Sequence, residues 1–219
     1  PYIPFNKPLV EIKSGVTLIE HQVRWLINSG MERIIIAVDR ETHRTLEEGL
    51  PSLDRLEFSV EKERLGTGGA VFKAAEQVES SIFYVMNVDD ILLSETYTPL
   101  NLLETLEENR HALGAILITQ TRFPFGIVET SSNRVTKFKQ KPLLSHKICS
   151  GHYAFAKKGV GKYFPRKGSF EDKALPRMAR DNVLYSKELE GEWITINNIK
   201  ELEVARRRLA EVERQRSSL

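Results

Sequence analysis

Residues 56–88, LEFSVEKERLGTGGAVFKAAEQVESSIFYVMNV, decide the fold. Leu56 to Val60 (LEFSV) alternates as a strand does, Leu65 to Ala70 is a glycine-rich turn, Ala70 to Val78 has helical period, and Ile82 to Val88 is a second, apolar strand. Strand, turn, helix, strand is the repeating unit of α/β proteins. The alternation extends in both directions. Ile34 to Val38 (IIIAV) and Ala115 to Thr119 (AILIT) predict two more strands, and Leu18, Val23, Leu26 and Ile27 mark one face of a helix ending near Gly30. Leu100, Leu103 and Leu106 mark another helix. Ile34–Val38 and Ile82–Val88 are apolar enough to be buried on both faces of a parallel sheet, and these strands are expected at its centre.

After residue 120 the texture changes to short strands with turns, at Gly126 to Glu129, Val135 to Phe138 and Cys149 to Phe155, which reads as a β-rich insert. From Asn198 onward Ile199, Leu202, Ala205, Leu209 and Val212 form a helical stripe over about 198–215. The chain opens at Pro1 without a strand, whereas doubly wound α/β folds usually start with one, which leaves open whether residues precede Pro1. No repeat or low-complexity linker divides it, and residues 1–219 read as one domain.

Composition narrows the function. With 41% hydrophobic and 28% charged residues, disordered and fibrous classes are excluded. The 32 Lys+Arg against 30 Asp+Glu leave a net charge of +2, which gives no general attraction to polyanions, so no nucleic-acid partner is implied. The apolar runs are far shorter than the roughly 20 residues that cross a bilayer, so no membrane partner is expected. No signal peptide opens the chain, and the lone Cys149 cannot form an internal disulfide; a cytoplasmic setting is expected.

Four stretches carry polar groups where chemistry could sit. Leu65-Gly66-Thr67-Gly68-Gly69-Ala70 lies between strand and helix, where free amides and the helix dipole suit a phosphate or a base edge; tight packing explains the glycines equally well. Asn87-Val88-Asp89-Asp90 ends an apolar strand, where ligands of open α/β sheets gather, and a carboxylate there can hold Mg²⁺; the other reading is a cap or turn acid. Lys139-Gln140-Lys141-Pro142 offers a lysine whose direction a proline sets, although exposed lysine pairs are common. Trp193 to Asn198 is a strand running into the last helix, with Thr195 and Asn197 on one side by period two; Asn197 or Asn198 as a plain helix cap is the alternative.

Taken in order, these stretches resemble the sugar-1-phosphate nucleotidylyltransferases. Asn6-Lys7-Pro8-Leu9-Val10-Glu11-Ile12 is similar to the family's P-K-P-L-x-x-I segment, Glu61 to Ala70 to its E-x-x-x-L-G-T-x-G-A loop, and Asn87-Val88-Asp89 to N-G-D. Phe125 to Glu129 resembles Y-G-V-V-E, Lys139 to Pro142 resembles F-x-E-K-P, and Ser150 to Tyr153 resembles the G-x-Y strand. Ser169 to Asp172 with Leu175-Pro176 resembles S-F-E-x-D-x-L-P.

The resemblance implies a Rossmann-like, GT-A type mixed sheet flanked by helices, with a nucleotide-binding part over about 1–120 and a small β-rich sugar-binding part over about 121–198. It implies transfer of a nucleoside monophosphate from an NTP to a sugar 1-phosphate with Mg²⁺. By position, Asp89 would be the metal carboxylate, Lys7 would contact the triphosphate and Lys141 the sugar phosphate. Leu65, Gly66, Thr67 and Gly69 would form the nucleotide loop, and Gly126, Gln140 and Gly151 would line the sugar pocket. Within the family, the N-acetylglucosamine-1-phosphate uridylyltransferases carry V-N-N before the last helix, and Ile196-Asn197-Asn198 is similar, which makes Asn197 the second metal ligand.

The sequence departs from the family pattern at four points. The G-G-x-G-T-R-L loop should lie just before Pro1, Thr195 stands where most members have a second metal aspartate, Gln140 replaces a glutamate, and Cys149 stands where many members have asparagine. Two alternatives therefore stand beside catalysis of nucleotidyl transfer: a non-catalytic nucleotide-sugar-binding regulator, and a glycosyltransferase of similar fold using the acidic pair Asp89-Asp90. The apolar, β-rich C-terminal third also suits an interface in a homo-oligomer.

Overall fold

The computed structural model describes residues 7–49 and 55–217, so that Asn6 of the first motif lies outside the described residues. A single 3-10 turn at Lys7–Leu9 leads into a small hairpin, β1 (Glu11–Lys13) and β2 (Val16–Thr17). Thr17 then caps α1 (Leu18–Asn28) by accepting from the Glu20 N–H at 3.3 Å, which satisfies one amide that a helix start leaves open. Leu18, Ile19 and Val23 of α1 are buried.

β3 (Ile34–Asp39) and β4 (Leu56–Glu61) pair in parallel, with α2 (Arg40–Gly49) between them in sequence. Next come α3 (Gly66–Ala74), β5 (Ile82–Met86), β6 (Asp90–Leu93), α4 (Pro99–Glu108) and β7 (Gly114–Thr119). The chain continues through β8 (Ile127–Ser131), β9 (Arg134–Lys139), β10 (Ile148–Ala156), α5 (Lys157–Tyr163), α6 (Phe170–Arg180), β11 (Leu184–Glu188), β12 (Glu192–Thr195) and α7 (Ile199–Ser217). The largest sheet runs β11-β7-β10-β5, with β11 parallel to β7 and β10 antiparallel to both its neighbours. The fold is the mixed α/β architecture expected.

Three local expectations are corrected. Ile34–Val38 and Ile82–Val88 are expected at the centre of one parallel sheet, but among the described strands β3 pairs only with β4 and leaves Ala37 exposed, while the second strand ends at Met86, pairs antiparallel with β10 and is only half-buried throughout. The centre is β7 and β10, and β10 is buried without a break from Ser150 to Ala156. Its small and polar residues make it look like part of the insert; in the fold Ser150 donates its hydroxyl to the Leu117 carbonyl at 3.1 Å, so burial leaves it satisfied. The stripe of α4 is rotated: Leu102 and Leu106 are buried while Leu100 is 43% exposed, an i, i+4 face packed on β5, β7 and β10.

The third correction concerns the glycine-rich turn, which is the first turn of α3. It is held by the segment before α6: Gly168 N–H donates to the Leu65 carbonyl at 2.7 Å, and Gly68 N–H to the Gly168 carbonyl at 2.8 Å. A Cβ on Gly66 would lie 2.9 Å from the Gly168 main chain, and one on Gly68 2.7 Å from the Pro165 ring. Close packing is thus a reason for these glycines.

β8 and β9 are exposed along their whole length, and Phe125, Val128, Val135 and Phe138 are each more than half exposed. The hairpin joins the body through Phe123 N–H to the Pro142 carbonyl at 2.8 Å and Leu144 N–H to the Thr121 carbonyl at 2.9 Å. Leu202, Ala205 and Leu209 of α7 pack with Ile12, Ile91, Ile194 and Ile196, following the predicted stripe except at Ile199, which is exposed. Among the described residues no helix is long and apolar enough to cross a membrane.

Candidate active site

Asp89 occupies the turn between β5 and β6. Its neighbours arrive from the two ends of the chain. β12 pairs antiparallel with β6, setting Thr195 opposite Asp90, and the Ile196 N–H donates to the Asp89 carbonyl at 2.9 Å. That bond brings Asn197, the next residue, alongside the Asp89 side chain. Lys7, at the start of the 3-10 turn, places its Nζ 2.7 Å from Asp89 Oδ2 and 2.9 Å from Asn197 Oδ1.

The two adjacent asparagines divide the readings the sequence left open. Asn198 caps α7, its Oδ1 accepting from the Glu201 N–H at 3.1 Å. Asn197 does not cap; its Nδ2 donates to Thr195 Oγ1 at 3.1 Å, which turns Oδ1 toward Lys7. Thr195, which stands in place of the expected aspartate, thereby orients the amide.

A carboxylate oxygen and an amide oxygen thus converge on one cation, the Lys7 ammonium. Hard divalent ions accept such oxygens and complete their shell with water and phosphate, so Asp89 and Asn197 fit Mg²⁺ on the donor set itself. Among the described residues no group of three or more His, Cys, Asp or Glu side chains could hold a metal. A cation here depends on ligands brought by substrate and solvent.

Asp90 faces the other way. It is 5% exposed, and its oxygens accept from Trp193 Nε1 at 2.9 Å and Asn87 Nδ2 at 3.1 Å. Burial pushes its carboxyl up to about 6, against the pull of the Asn87 and Trp193 hydrogen bonds. Of the two adjacent carboxylates, Asp89 alone meets Lys7, while the Asp90 oxygens are taken by Trp193 and Asn87. Gly151 of β10 lies directly against Asp90, and its carbonyl accepts from the Asn87 N–H at 2.9 Å.

Of the other sequence candidates, Gly126 and Gln140 are neighbours on the hairpin, where a Cβ on Gly126 would lie 3.0 Å from Gln140 Oε1. Lys141 has φ +45, an uncommon conformation for a lysine and more so before proline, and its carbonyl accepts from Arg122 at 3.2 Å. Among the described residues no hydrogen bond or ion pair links these three to the Asp89 cluster. The Thr67 hydroxyl donates to Glu171 and accepts from the Phe170 N–H at 3.3 Å, so this side chain of the glycine loop is spent inside the fold.

Sequence reasoning missed the groups underneath. Gln22 of α1 is 4% exposed and donates through Nε2 to the carbonyls of Val88 at 3.0 Å and Asp90 at 2.9 Å. His152 of β10 is fully buried, contacts the Asp90 carbonyl through Nε2 at 3.1 Å, and hydrogen-bonds Tyr84 through Nδ1. The signal available was a glutamine on the apolar side of a helix stripe and a histidine within a strand; neither names its partner.

Burial holds both His152 and His21 down to about 4. In the unfolded chain each takes its proton near 6.5, so below that pH the unfolded state binds protons the native state refuses, and stability falls until about 4. Asp90 acts oppositely, since from about 6 downward the native state is the one that holds its proton, but one carboxyl offsets less than two imidazoles. The urea midpoint is expected to be clearly lower near pH 5 than near pH 7.5. Equal midpoints would show that the two rings are not buried neutral.

Comparison with known proteins supplies the family. The family model described as nucleotidyl transferase matches residues 4–211. Mannose-1-phosphate guanyltransferase beta-A of Xenopus laevis is 32% identical over 207 residues, and the mannose-1-phosphate guanyltransferase of Hypocrea jecorina is 31% identical over 210. Each match covers 89% of this chain and 56% of the relative, so the chain spans about half the length of these curated relatives. Crystal structures of HddC from Yersinia pseudotuberculosis share the fold, with a TM-score of 0.69 at 23% identity over 94% of this chain and 90% of that one; a second, at 22% identity, is a complex with GMP-PN. A family model that spans nearly the whole sequence, with relatives at this level of identity, shows that the chain belongs to the nucleotidyl transferase family.

Proposed function

We propose that this chain transfers a nucleoside monophosphate from an NTP to a sugar 1-phosphate, giving an NDP-sugar and pyrophosphate, with GTP and mannose 1-phosphate as the preferred pair. The observation that carries the reading is the meeting of Lys7, Asp89 and Asn197 at one point beyond the end of β5, a cation with two oxygen donors where triphosphate charge can be neutralised. The guanosine and mannose preference is supported by the names of the curated relatives.

In this reading a sugar-phosphate oxygen attacks the α-phosphorus in line; the new P–O bond forms as the α–β bridge breaks, and pyrophosphate leaves with the electron pair. Asp89 and Asn197 would hold Mg²⁺, which supplies charge neutralisation on the phosphate oxygens. Lys7, exchanged from Asp89, meets the triphosphate as a point charge, and Lys141 holds the sugar phosphate. Gly126, Gln140 and Gly151 line the sugar pocket. In the loop of Leu65, Gly66, Thr67 and Gly69 the base meets main chain beyond Leu65, because the Leu65 N–H and carbonyl are taken by Glu61 and Gly168 and the Thr67 hydroxyl by Glu171. A half-buried, unpaired Cys149 suits a cytoplasmic setting.

Pyrophosphate release across four NTPs and a panel of sugar 1-phosphates, on intact protein with its N-terminus checked by mass, tests this directly. GTP with mannose 1-phosphate is expected to give the highest rate. A different best pair would replace the substrates and keep the reaction, whereas no release from any pair, with a nucleotide sugar still bound, would leave a binding regulator.

A further inference from the structure

We infer that Gln22 is the positioning residue of the metal carboxylate Asp89, acting with His152 on the main chain that carries it; the inference rests on the function proposed above. The geometry lies in three consecutive carbonyls. Val88 O accepts from Gln22 Nε2 at 3.0 Å, Asp89 O from the Ile196 N–H at 2.9 Å, and Asp90 O from both Gln22 Nε2 at 2.9 Å and His152 Nε2 at 3.1 Å. The peptide planes from Val88 to Ile91 are thereby fixed by donors from three elements, α1, the end of β12 and β10, with α1 holding the first and the last.

The chemistry assigns each donor without ambiguity. Both groups facing the Gln22 amide are carbonyl oxygens, which only accept, so the nitrogen and not the oxygen must point at them. Nε2 of His152 likewise faces a carbonyl and must carry the ring proton, which leaves Nδ1 to accept from the Tyr84 hydroxyl. Burial keeps that ring neutral and keeps the Tyr84 phenol protonated, so the arrangement persists across the working pH range.

Why should this matter to a carboxylate? Asp89 has two side-chain torsions, so its oxygens follow any rotation of the peptide planes on either side. The Ile196 bond that anchors Asp89 also sets where Asn197 begins, so one displaced turn changes the separation of both oxygen donors. Gln22 spans the turn with two hydrogens of a single amide, and a side chain that keeps its volume but not its donors would leave the turn packed and unpinned. Partners of this kind, behind a metal ligand, typically govern about 10–100-fold in affinity.

The test is Mn²⁺ binding, read by electron paramagnetic resonance on the intact chain with a non-hydrolysable GTP analogue supplying the phosphate ligands, for Gln22→Met and Tyr84→Phe. Gln22→Met is expected to weaken Mn²⁺ about tenfold, and Tyr84→Phe, which frees the His152 ring, to weaken it less. Amide exchange at Ile196 and Asn87 should quicken in Gln22→Met while β7 stays protected. A purely structural Gln22 would lower the urea midpoint without changing Mn²⁺ affinity in the folded protein. Should Gln22→Met not fold, Gln22→Glu, which keeps length and polarity but offers the two carbonyls at most one hydrogen, carries the decision. Affinities within twofold of wild type in the folded variants overturn the positioning role alone. Wild type that binds no Mn²⁺ overturns the metal reading and this inference with it, and wild type that binds Mn²⁺ but releases no pyrophosphate overturns only the proposed activity.

Discussion

Asp89→Asn is expected to lower the rate of pyrophosphate release by about a thousandfold while leaving the urea midpoint nearly unchanged. The substitution keeps shape and one oxygen but removes the charge. That charge is the site's own: Asn197 is neutral, and Asp90 turns its buried carboxyl to Trp193 and Asn87. Loss of the several kcal/mol by which a metal neutralises phosphate oxygens corresponds to about three powers of ten in rate, since about 1.4 kcal/mol is tenfold. The fold has little to lose, because the Asp89–Lys7 pair is open to solvent, at 21% and 36% side-chain exposure, and such pairs contribute about 0–1 kcal/mol. The Asp89 main chain keeps its bond from Ile196 in the variant. Unchanged turnover would remove Asp89 from the metal assignment, and a collapsed urea midpoint would mean that the carboxylate is structural.

How much of this was readable in the sequence depends on the range of the forces involved. β3, β4 and β7 and helix α1 follow local periodicity, and their bounds fall within a residue or two of the pattern. Asp89 at a strand end was legible because ligands of open α/β sheets gather there, whereas position alone left Asn197 a plain helix cap and only the resemblance to a V-N-N segment singled it out. β10 was misplaced because Ser150, Gly151 and His152 interrupt its apolar pattern, and the partners that make them tolerable, Leu117, Asp90 and Tyr84, are far away in sequence. α5 and α6 went unread for a related reason. Gly159 and Gly161 in the first and Pro176 inside the second lower local propensity, and burial of Val160, Tyr163, Phe170, Ala174 and Met178 outweighs it. Gln22 sits on a predicted helix in plain view, yet nothing local indicates that its amide reaches across to two carbonyls some 66 and 68 residues on.

Gly151→Ala is expected to destabilise the fold by about 2–5 kcal/mol and to damage turnover further than stability alone explains. Two costs add. Gly151 has φ +77, a region where an L side chain costs about 1–2 kcal/mol. The new methyl would also land on Asp90 Oδ2, with Cγ at 2.6 Å and Asn87 Nδ2 at 2.8 Å, and relieving such overpacking costs about 1–3 kcal/mol. The carboxyl has no free direction of retreat, since Trp193 Nε1 holds one oxygen and Asn87 Nδ2 the other. If it moves, it takes Asn87 with it, and Asn87 precedes the turn whose carbonyls set Asp89. Adding Asp90→Ala opens the space the methyl needs, so the double variant is expected to be less damaged than the two single losses sum to. Urea midpoints for the four members of that cycle measure the coupling. Strict additivity would mean that Asp90 does not determine the glycine at this position, and that the cost of Gly151→Ala lies in the backbone conformation and the Asn87 contact.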